Sequence, residues 1–130
     1  MNKYSNIATL FVAFIMALTS CKKEENITTS NDSYYIKYAI IGNGTYIYFS
    51  DFSVNSAQGL VSYSGYQYQT WTQTYGPVKK GFSASVSVQS PYVTVEIYVS
   101  KNNGPWAVMA SKTGDYSLSS TTSQSYTINF

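Results

Sequence analysis

Few side chains in this sequence have the chemistry of a catalytic or metal-binding site. The chain holds one cysteine and no histidine. In the part predicted to fold, the carboxylates are Asp51, Glu96 and Asp115, and no two of them lie close together in sequence. General acid–base catalysis most often uses histidine, glycosidases need two facing carboxylates, and zinc is held mainly by cysteine and histidine. We therefore predict that the protein is not an enzyme and that it uses no cofactor and no metal.

The single cysteine, Cys21, stands where a hydrophobic segment meets a charged one. Lys3 lies near the start, residues 7–18 are almost entirely apolar, and two small residues precede the cysteine. This order is typical of a secretory signal peptide. The alternative is a membrane-anchoring helix, but the apolar run would rise only about 18 Å, whereas the hydrocarbon core of a bilayer is about 30 Å thick. Residues 1–20 are therefore predicted to be a signal peptide.

The residues Leu-Thr-Ser-Cys at positions 18–21 resemble the lipobox of bacterial lipoproteins. In that family the cysteine thiol receives a diacylglycerol, the chain is cut just before the cysteine, and the new amine is acylated. The alternative is an ordinary exported cysteine, but a single cysteine cannot form an internal disulfide. The resemblance implies that Cys21 is lipidated and that the protein binds a membrane through this lipid, since several acyl chains together give stable anchoring.

The segment after the cysteine, residues 21–33, is polar and has no periodicity, so we predict a flexible tether. Fully stretched, it could span about 40 Å. The acidic pair Glu24 and Glu25 resembles the surface-export signal of Bacteroidota lipoproteins. This resemblance implies an outer-membrane lipoprotein displayed at the cell surface. The alternative location is the inner leaflet of the outer membrane.

Tyrosine dominates the remainder of the chain, since the sequence has 14 Tyr. One interpretation is structural, because tyrosine has a high β-propensity and suits half-buried positions. The other is a recognition surface for a glycan or a protein, because tyrosine combines a flat apolar ring with a polar tip at low entropic cost. Trp71 has the opposite parity to its tyrosine neighbours and is predicted to point inward. The candidate binding surface consists of Tyr46, Tyr48, Tyr66, Tyr68, Tyr92 and Tyr98.

The elements that must position these tyrosines are predicted to be strands. From Ser33 onward apolar and polar residues alternate with a period of two, which predicts half-buried strands. Residues 34–41 are apolar on both faces apart from Lys37, which predicts a central strand. The other strands are predicted at residues 45–52, 58–63, 67–75, 82–88, 92–99, 105–111 and 126–130.

Turn residues such as Asn-Gly and Gly-Pro separate these segments. Turn signals about every 8–12 residues between short alternating strands predict a sandwich. One polar face on each strand favours antiparallel sheets. Residues 34–130 are therefore predicted to form an all-β, antiparallel immunoglobulin-like sandwich of about seven or eight short strands, without the cysteine pair that staples many such domains.

The order of these segments resembles a known family over about residues 34–100. A tyrosine-rich first strand, a tryptophan strand at residues 70–75 and two alternating strands resemble the small β-sandwich domain of MmpS-type membrane-anchored proteins and lipoproteins. That family has Leu-Pro before its tryptophan, where this chain has Gln69 and Thr70, and it tends to carry a cysteine pair that is missing here. The resemblance implies a sandwich fold and says little about activity.

Together these features predict a lipid-anchored envelope lipoprotein that acts as a non-catalytic binding or adhesion module. The alternative is a structural or accessory outer-membrane lipoprotein that associates with another envelope protein, for example through a sheet edge. The formal net charge is only +2, so the chain has no basic surface of the kind that binds nucleic acid. We therefore expect no nucleic-acid partner.

Overall fold

The computed structural model describes residues 31–45, 47–116 and 120–130. In these ranges the chain forms strands and no helix. All the strand pairs are antiparallel. In chain order the strands are β1 (Tyr34–Gly42), β2 (Tyr48–Phe49), β3 (Phe52–Ser56), β4 (Gly59–Tyr63), β5 (Gln67–Tyr68), β6 (Thr70–Val78), β7 (Ser83–Val88), β8 (Val93–Lys101), β9 (Ala107–Thr113) and β10 (Thr122–Thr127).

Two four-stranded sheets build the sandwich. Sheet 1 has the order β6-β1-β8-β9, and sheet 2 has the order β10-β7-β3-β4. The short strands β2 and β5 form a separate two-stranded ladder. As the apolar pattern of residues 34–41 predicts, β1 is a central strand, with β6 on one side and β8 on the other. The structure thus confirms the predicted all-β antiparallel sandwich.

The core lies between the two sheets and follows the period-two pattern. In β8, Val93, Val95 and Ile97 are fully buried, while the residues between them are only half-buried. In β7, Val86 and Val88 are buried in the same way. Full burial of a side chain of this size contributes roughly 1.5–3 kcal/mol to folding. The alternating valines and isoleucines therefore supply the main stabilisation of a domain that has no disulfide among its described residues.

Several strand predictions differ from the structure, which has ten strands in its described residues rather than seven or eight. The segment 67–75, predicted as one strand, is divided between β5 and β6 at Gln69, whose φ is 61°. The segment 45–52, predicted as one strand, is divided between β2 and β3, because Asp51 has a φ of 52° and turns the chain. The last strand is Thr122–Thr127, so it begins four residues before the predicted segment 126–130 and ends three residues before Phe130. Ile128 is still fully buried, and its N–H donates to the carbonyl of Phe82 (N···O 3.0 Å), so the alternation at the end of the chain reflects packing beyond the last ladder pair.

The strands run between two ends of the sandwich. One, which we call the tyrosine end, holds the end of β1 and the start of β8, since Gly42 pairs with Val93. The other, which we call the entry end, is where the chain enters β1. There the N–H of Asn102 donates to the carbonyl of Ser33 (2.7 Å), and Lys101 forms an ion pair with Asp32 (2.7 Å).

Candidate functional site

The β2–β5 ladder displays two tyrosines side by side at the tyrosine end. Tyr48 pairs with Tyr68, and their ring centroids lie 5.1 Å apart at an interplanar angle of 50°. The two side chains are 57% and 53% exposed. Phe49, the next residue in β2, is 1% exposed and packs into the core. Strand alternation therefore anchors this ladder through Phe49 and turns both tyrosine rings toward solvent, as predicted.

Tyr66 lies directly before β5 in the same region. Its side chain is 82% exposed, more than that of any other large apolar residue that the structure describes. Gly65 precedes it with a φ of 90°, a conformation that glycine adopts without steric cost. The turn at Gly65 thus leaves the Tyr66 ring outside the packed part of the domain.

Backbone hydrogen bonds attach this ladder to sheet 1. The N–H of Gly42 donates to the carbonyl of Gln69 (2.8 Å), and the N–H of Gln69 donates to the carbonyl of Ile47 (2.6 Å). Gln69 has a φ of 61°, in the left-handed region, between β5 and β6. These bonds hold the segments before β2 and after β5 against the end of β1, so the positions of Tyr48 and Tyr68 are set by the sandwich.

A second tyrosine pair occupies the same end. Tyr92 and Tyr116 stack with ring centroids 3.8 Å apart and an interplanar angle of 21°. Tyr92 is half-buried, whereas Tyr116 is 58% exposed. The N–H of Tyr92 donates to the carbonyl of Asp115 (2.8 Å), and the N–H of Asn43 donates to the carbonyl of Tyr92 (3.2 Å). The ends of β1, β8 and β9 therefore converge on this pair.

Sequence reasoning did not identify Tyr116. It lies after the end of β9, where no strand alternation indicates which way a side chain points. The pairing of β8 with β9, in which Thr94 opposes Thr113, brings it to Tyr92. The Gly-Asp turn signal before Tyr116 was the only local hint, and it does not indicate a contact with Tyr92.

Tyr98 lies apart from the tyrosine end, on the outer face of sheet 1. It pairs with Lys37 across β1 and β8, and the Lys37 Nζ lies 4.3 Å from the centroid of its ring. The same ammonium lies 5.1 Å from the centroid of the Trp106 ring. The hydroxyl of Tyr98 donates to Glu96, and this hydrogen bond, with a smaller contribution from burial, raises the pKa of Tyr98. The polar groups of Lys37, Glu96 and Tyr98 thus interact mainly with one another.

The remaining sequence-predicted residues cannot be placed. Tyr46 lies outside the described residues, and so do Cys21, Glu24 and Glu25 together with the predicted signal peptide. Of the predicted binding surface, the structure therefore brings Tyr48, Tyr66, Tyr68 and Tyr92 to one end and separates Tyr98 from them.

Other tyrosines are part of the core. Tyr38 is fully buried, and its hydroxyl donates to the carbonyl of Asn55 (2.6 Å) and accepts from the N–H of Ser85 (3.3 Å). Burial raises the pKa of Tyr38 to about 12. The hydroxyls of Tyr63 and Tyr75 hydrogen-bond to each other across the gap between β4 and β6. These tyrosines join the two sheets.

Trp71 lies on the same side of the sandwich as Tyr63 and Tyr75, and it points inward, as its parity predicts. It is half-buried, and its ring packs edge-on against Phe52 (centroids 4.7 Å apart) and Tyr63 (5.0 Å). Phe52 and Tyr63 are stacked on each other at 4.8 Å. This aromatic cluster is structural, because its rings fill the space between the two sheets.

The outer face of sheet 2 is a surface of short polar side chains. One row across its four strands consists of Ser62, Ser53, Ser87 and Ser123. Two open grooves of about 330 and 380 Å³ lie along this face and are lined mainly by such serines. The lining contains two aromatic residues, Phe52 and Tyr63. Phe52 is buried and Tyr63 is half-buried, so this face lacks the exposed rings found at the tyrosine end.

The acidic residues of the described ranges do not form a cluster. In the described ranges, no group of three or more His, Cys, Asp or Glu side chains is placed to hold a metal ion. Glu96 accepts a hydrogen bond from Tyr98, and the Asp51 carboxylate accepts one from the hydroxyl of Ser50 (2.9 Å).

No helix long and apolar enough to cross a membrane occurs in the part of the chain that the structure describes.

No protein-family model, curated protein or solved structure matches this chain. The resemblances to lipoproteins and to MmpS-type sandwich domains therefore stay predictions. The geometry of the tyrosine end is the remaining basis for a functional assignment.

Proposed function

We propose that this protein is a lipid-anchored envelope lipoprotein that acts as a non-catalytic binding module, with the tyrosine end as its ligand-binding surface. One observation carries the proposal. Tyr48, Tyr66, Tyr68 and Tyr116 are each more than half exposed, and the hydrogen bonds between the loops gather all of them at one end of the sandwich.

Exposed aromatic rings at one end of a sandwich suit recognition. Large apolar side chains that share one surface region mark interaction sites more often than scattered ones do. Tyrosine in particular gives a large, rigid contact area with a hydroxyl for hydrogen bonding. The loops of β-sandwiches lie at the two ends of the strands, where their side chains can vary without changing the core. A glycan or a protein segment is the class of ligand that such a surface fits.

The position of the chain entry supports this role. Asp32 and Ser33 are bonded to the β8–β9 turn at the entry end, opposite the tyrosines. β1 has 9 residues, and a strand of that length spans roughly 30 Å. The chain thus enters the domain at the end far from the tyrosine end, and a tether from Cys21 would be joined to the domain there.

The second candidate function is that of an accessory lipoprotein that associates with another envelope protein. Exposed tyrosines favour it as well, because tyrosine and tryptophan are enriched at protein interfaces. The two candidates differ in the ligand that the tyrosine end binds, so a single set of variants can separate them.

The test of the binding module uses the full chain on a glycan array and in a pull-down from the envelope fraction. We expect binding to a glycan that is lost in the double variant Tyr66→Ala with Tyr68→Ala. The matched control is Tyr98→Ala, which removes a tyrosine from the face of sheet 1 and should retain binding. Capture of a specific envelope protein without a glycan signal, lost in the same double variant, would support the accessory role instead. Binding that the double variant leaves unchanged would contradict both.

The anchor is tested separately. In Cys21→Ser we expect the chain to lose fatty-acid labelling and to leave the membrane fraction. A variant that remains acylated and membrane-bound as before would refute lipidation at this residue. Glycan binding by the tyrosine end does not depend on that outcome.

A further inference from the structure

The sandwich has four edge strands, β6 and β9 in sheet 1 and β10 and β4 in sheet 2. Each edge strand has backbone N–H and C=O groups that a further strand could pair with. Natural proteins protect such edges with charged side chains, proline, bulges, short strands or a covering segment. The four edges differ in how well they are protected against pairing with another chain.

Three of the edges are protected. β9 carries Lys112 and has an irregular register opposite Ile97 and Tyr98. β4 has only 5 residues and begins at Gly59. β10 packs against β8 and β9 where the two sheets meet. A strand from another molecule would therefore have to overcome a charge, a bulge, a short ladder or a covering element at each of them.

The edge of β6 has none of these features over Thr70–Tyr75. Its sequence there is Thr-Trp-Thr-Gln-Thr-Tyr, which contains no charge and no proline. All these positions are in regular register with β1 on one side, and both Pro77 and the register irregularity lie beyond them, between Tyr75 and Val78. Thr72, Gln73 and Thr74 are exposed. Within the described ranges β6 has β1 as its only ladder partner, so its second edge is open along an uncharged segment of high β-propensity.

We propose that β6 pairs antiparallel with β6 of a second copy of this chain, so that sheet 1 continues from one copy into the other. The segment is complementary to itself about Gln73. In that register Gln73 opposes Gln73 of the second copy, Thr72 opposes Thr74, and Trp71 opposes Tyr75. Thr–Thr and aromatic pairs directly across a ladder are favourable, and this arrangement is the isologous two-fold contact of a closed dimer.

A second copy fits this edge for two reasons. Two uncharged strands can approach without the like-charge repulsion that normally blocks self-pairing. The alternation also places threonine opposite threonine on the outer face and ring opposite ring on the inner face, whichever copy is considered. An antiparallel pair leaves the two tyrosine ends at opposite extremes of the joined sheet, so the dimer does not depend on ligand binding there.

The proposal is tested by cysteine cross-linking in the full chain. In a Cys21→Ser background, Gln73→Cys leaves one thiol, because the natural sequence has only one cysteine. Directly opposed residues in an antiparallel ladder have Cα atoms about 4.5–5.5 Å apart, within the span of a disulfide. We expect oxidation to give a covalent dimer. The control is Ser111→Cys on the exposed face of β9, which should give only the background level of dimer.

A charge variant tests the same ladder in another way. Thr72→Lys with Thr74→Lys, added to Gln73→Cys, places lysines opposite one another and should abolish the dimer band. Ser111→Lys in the same Gln73→Cys chain adds a lysine elsewhere on sheet 1 and should leave the band intact. Circular dichroism checks that the variants stay folded, and any variant that unfolds is replaced by Thr72→Lys alone.

The results that overturn the proposal are specific. They are the absence of a dimer with Gln73→Cys, an equal yield with Ser111→Cys, a yield that the lysine variants do not change, or cross-linking to a different protein only. Glycan binding by the same variants is measured in parallel. A chain that binds its ligand but does not cross-link would refute the dimer and leave the proposed binding function intact.

Discussion

Tyr38 and Tyr66 are the same residue type in opposite surroundings. Tyr38 is fully buried in β1, with its hydroxyl bonded to the backbone of two strands of sheet 2. Tyr66 is 82% exposed in a turn at the tyrosine end. The first links the two sheets, and the second contributes little to the core. The high tyrosine content of this protein therefore has two sources, one structural and one that we assign to ligand binding.

The same contrast holds for pairs of tyrosines. Tyr63 and Tyr75 meet through their hydroxyls at the side of the core, and burial, followed by this hydrogen bond, raises the pKa of Tyr75. Tyr48 and Tyr68 meet through their rings on a two-stranded ladder with both side chains exposed. Substitutions in the first pair should therefore change the stability of the domain, and substitutions in the second pair should change ligand binding.

The largest expected effect is that of truncating a core tyrosine. Tyr38→Ala should lower the free energy of unfolding by about 3–5 kcal/mol, because removing a buried aromatic ring leaves a cavity. Tyr66→Ala, at an exposed position, should change it by less than about 0.5 kcal/mol. Urea unfolding of the full chain measures both. Equal losses for the two variants would contradict the division into structural and surface tyrosines.

A smaller effect is expected from removing only the hydroxyl of Tyr38. Tyr38→Phe leaves the carbonyl of Asn55 and the N–H of Ser85 without this partner inside the domain. A buried polar group that loses its partner costs about 1–3 kcal/mol, and urea unfolding should show a loss of that size. Tyr68→Phe is the control. The hydroxyl of Tyr68 is exposed, so water can take the place of its contacts, and the midpoint of the urea unfolding curve should stay unchanged. A stable Tyr38→Phe variant would show that the hydroxyl does not link the sheets.

The smallest effect appears only at high pH. Burial raises the pKa of Tyr38 from 10.0 to about 12. The unfolded chain loses this proton near pH 10, whereas the folded chain keeps it up to about pH 12. In this window the unfolded state binds fewer protons, so the free energy of unfolding falls as pH rises. Urea titrations across this range measure the slope.

Two variants identify the source of that slope. Tyr38→Phe should reduce it, because phenylalanine does not ionise, and the raised pKa of Tyr75 should account for part of what remains. Tyr75→Phe should reduce the slope as well, for the same reason. A slope that neither variant changes would contradict the assignment to these two tyrosines.

Much of the fold could be predicted, because burial on one face of a strand leaves a direct pattern in the sequence. The alternation in β7 and β8 and the two-sided apolar pattern of β1 correspond to the strands found. The break between β2 and β3 could not be predicted in this way. It depends on the left-handed conformation of Asp51, where the buried positions change parity from Phe49 to Phe52.

The candidate site could be predicted in part. Parity alone indicates that Tyr48 and Tyr68 point outward, and both are exposed. Parity does not indicate that Tyr92 stacks on Tyr116 or that Tyr98 lies on another surface beside Lys37. These relations depend on which strands pair, and the partners are far apart in the chain.

By itself, the sequence determined the all-β class, the central place of β1 and the outward direction of most candidate tyrosines. Side-chain alternation is a local property of any extended strand, so it can be read from neighbouring residues. Only the tertiary structure decided which tyrosines share an end, which ones link the sheets through their hydroxyls, and that β6 pairs only with β1 among the described strands. Strand order and register are set by hydrogen bonds and packing between distant segments, and no short stretch of sequence contains that information.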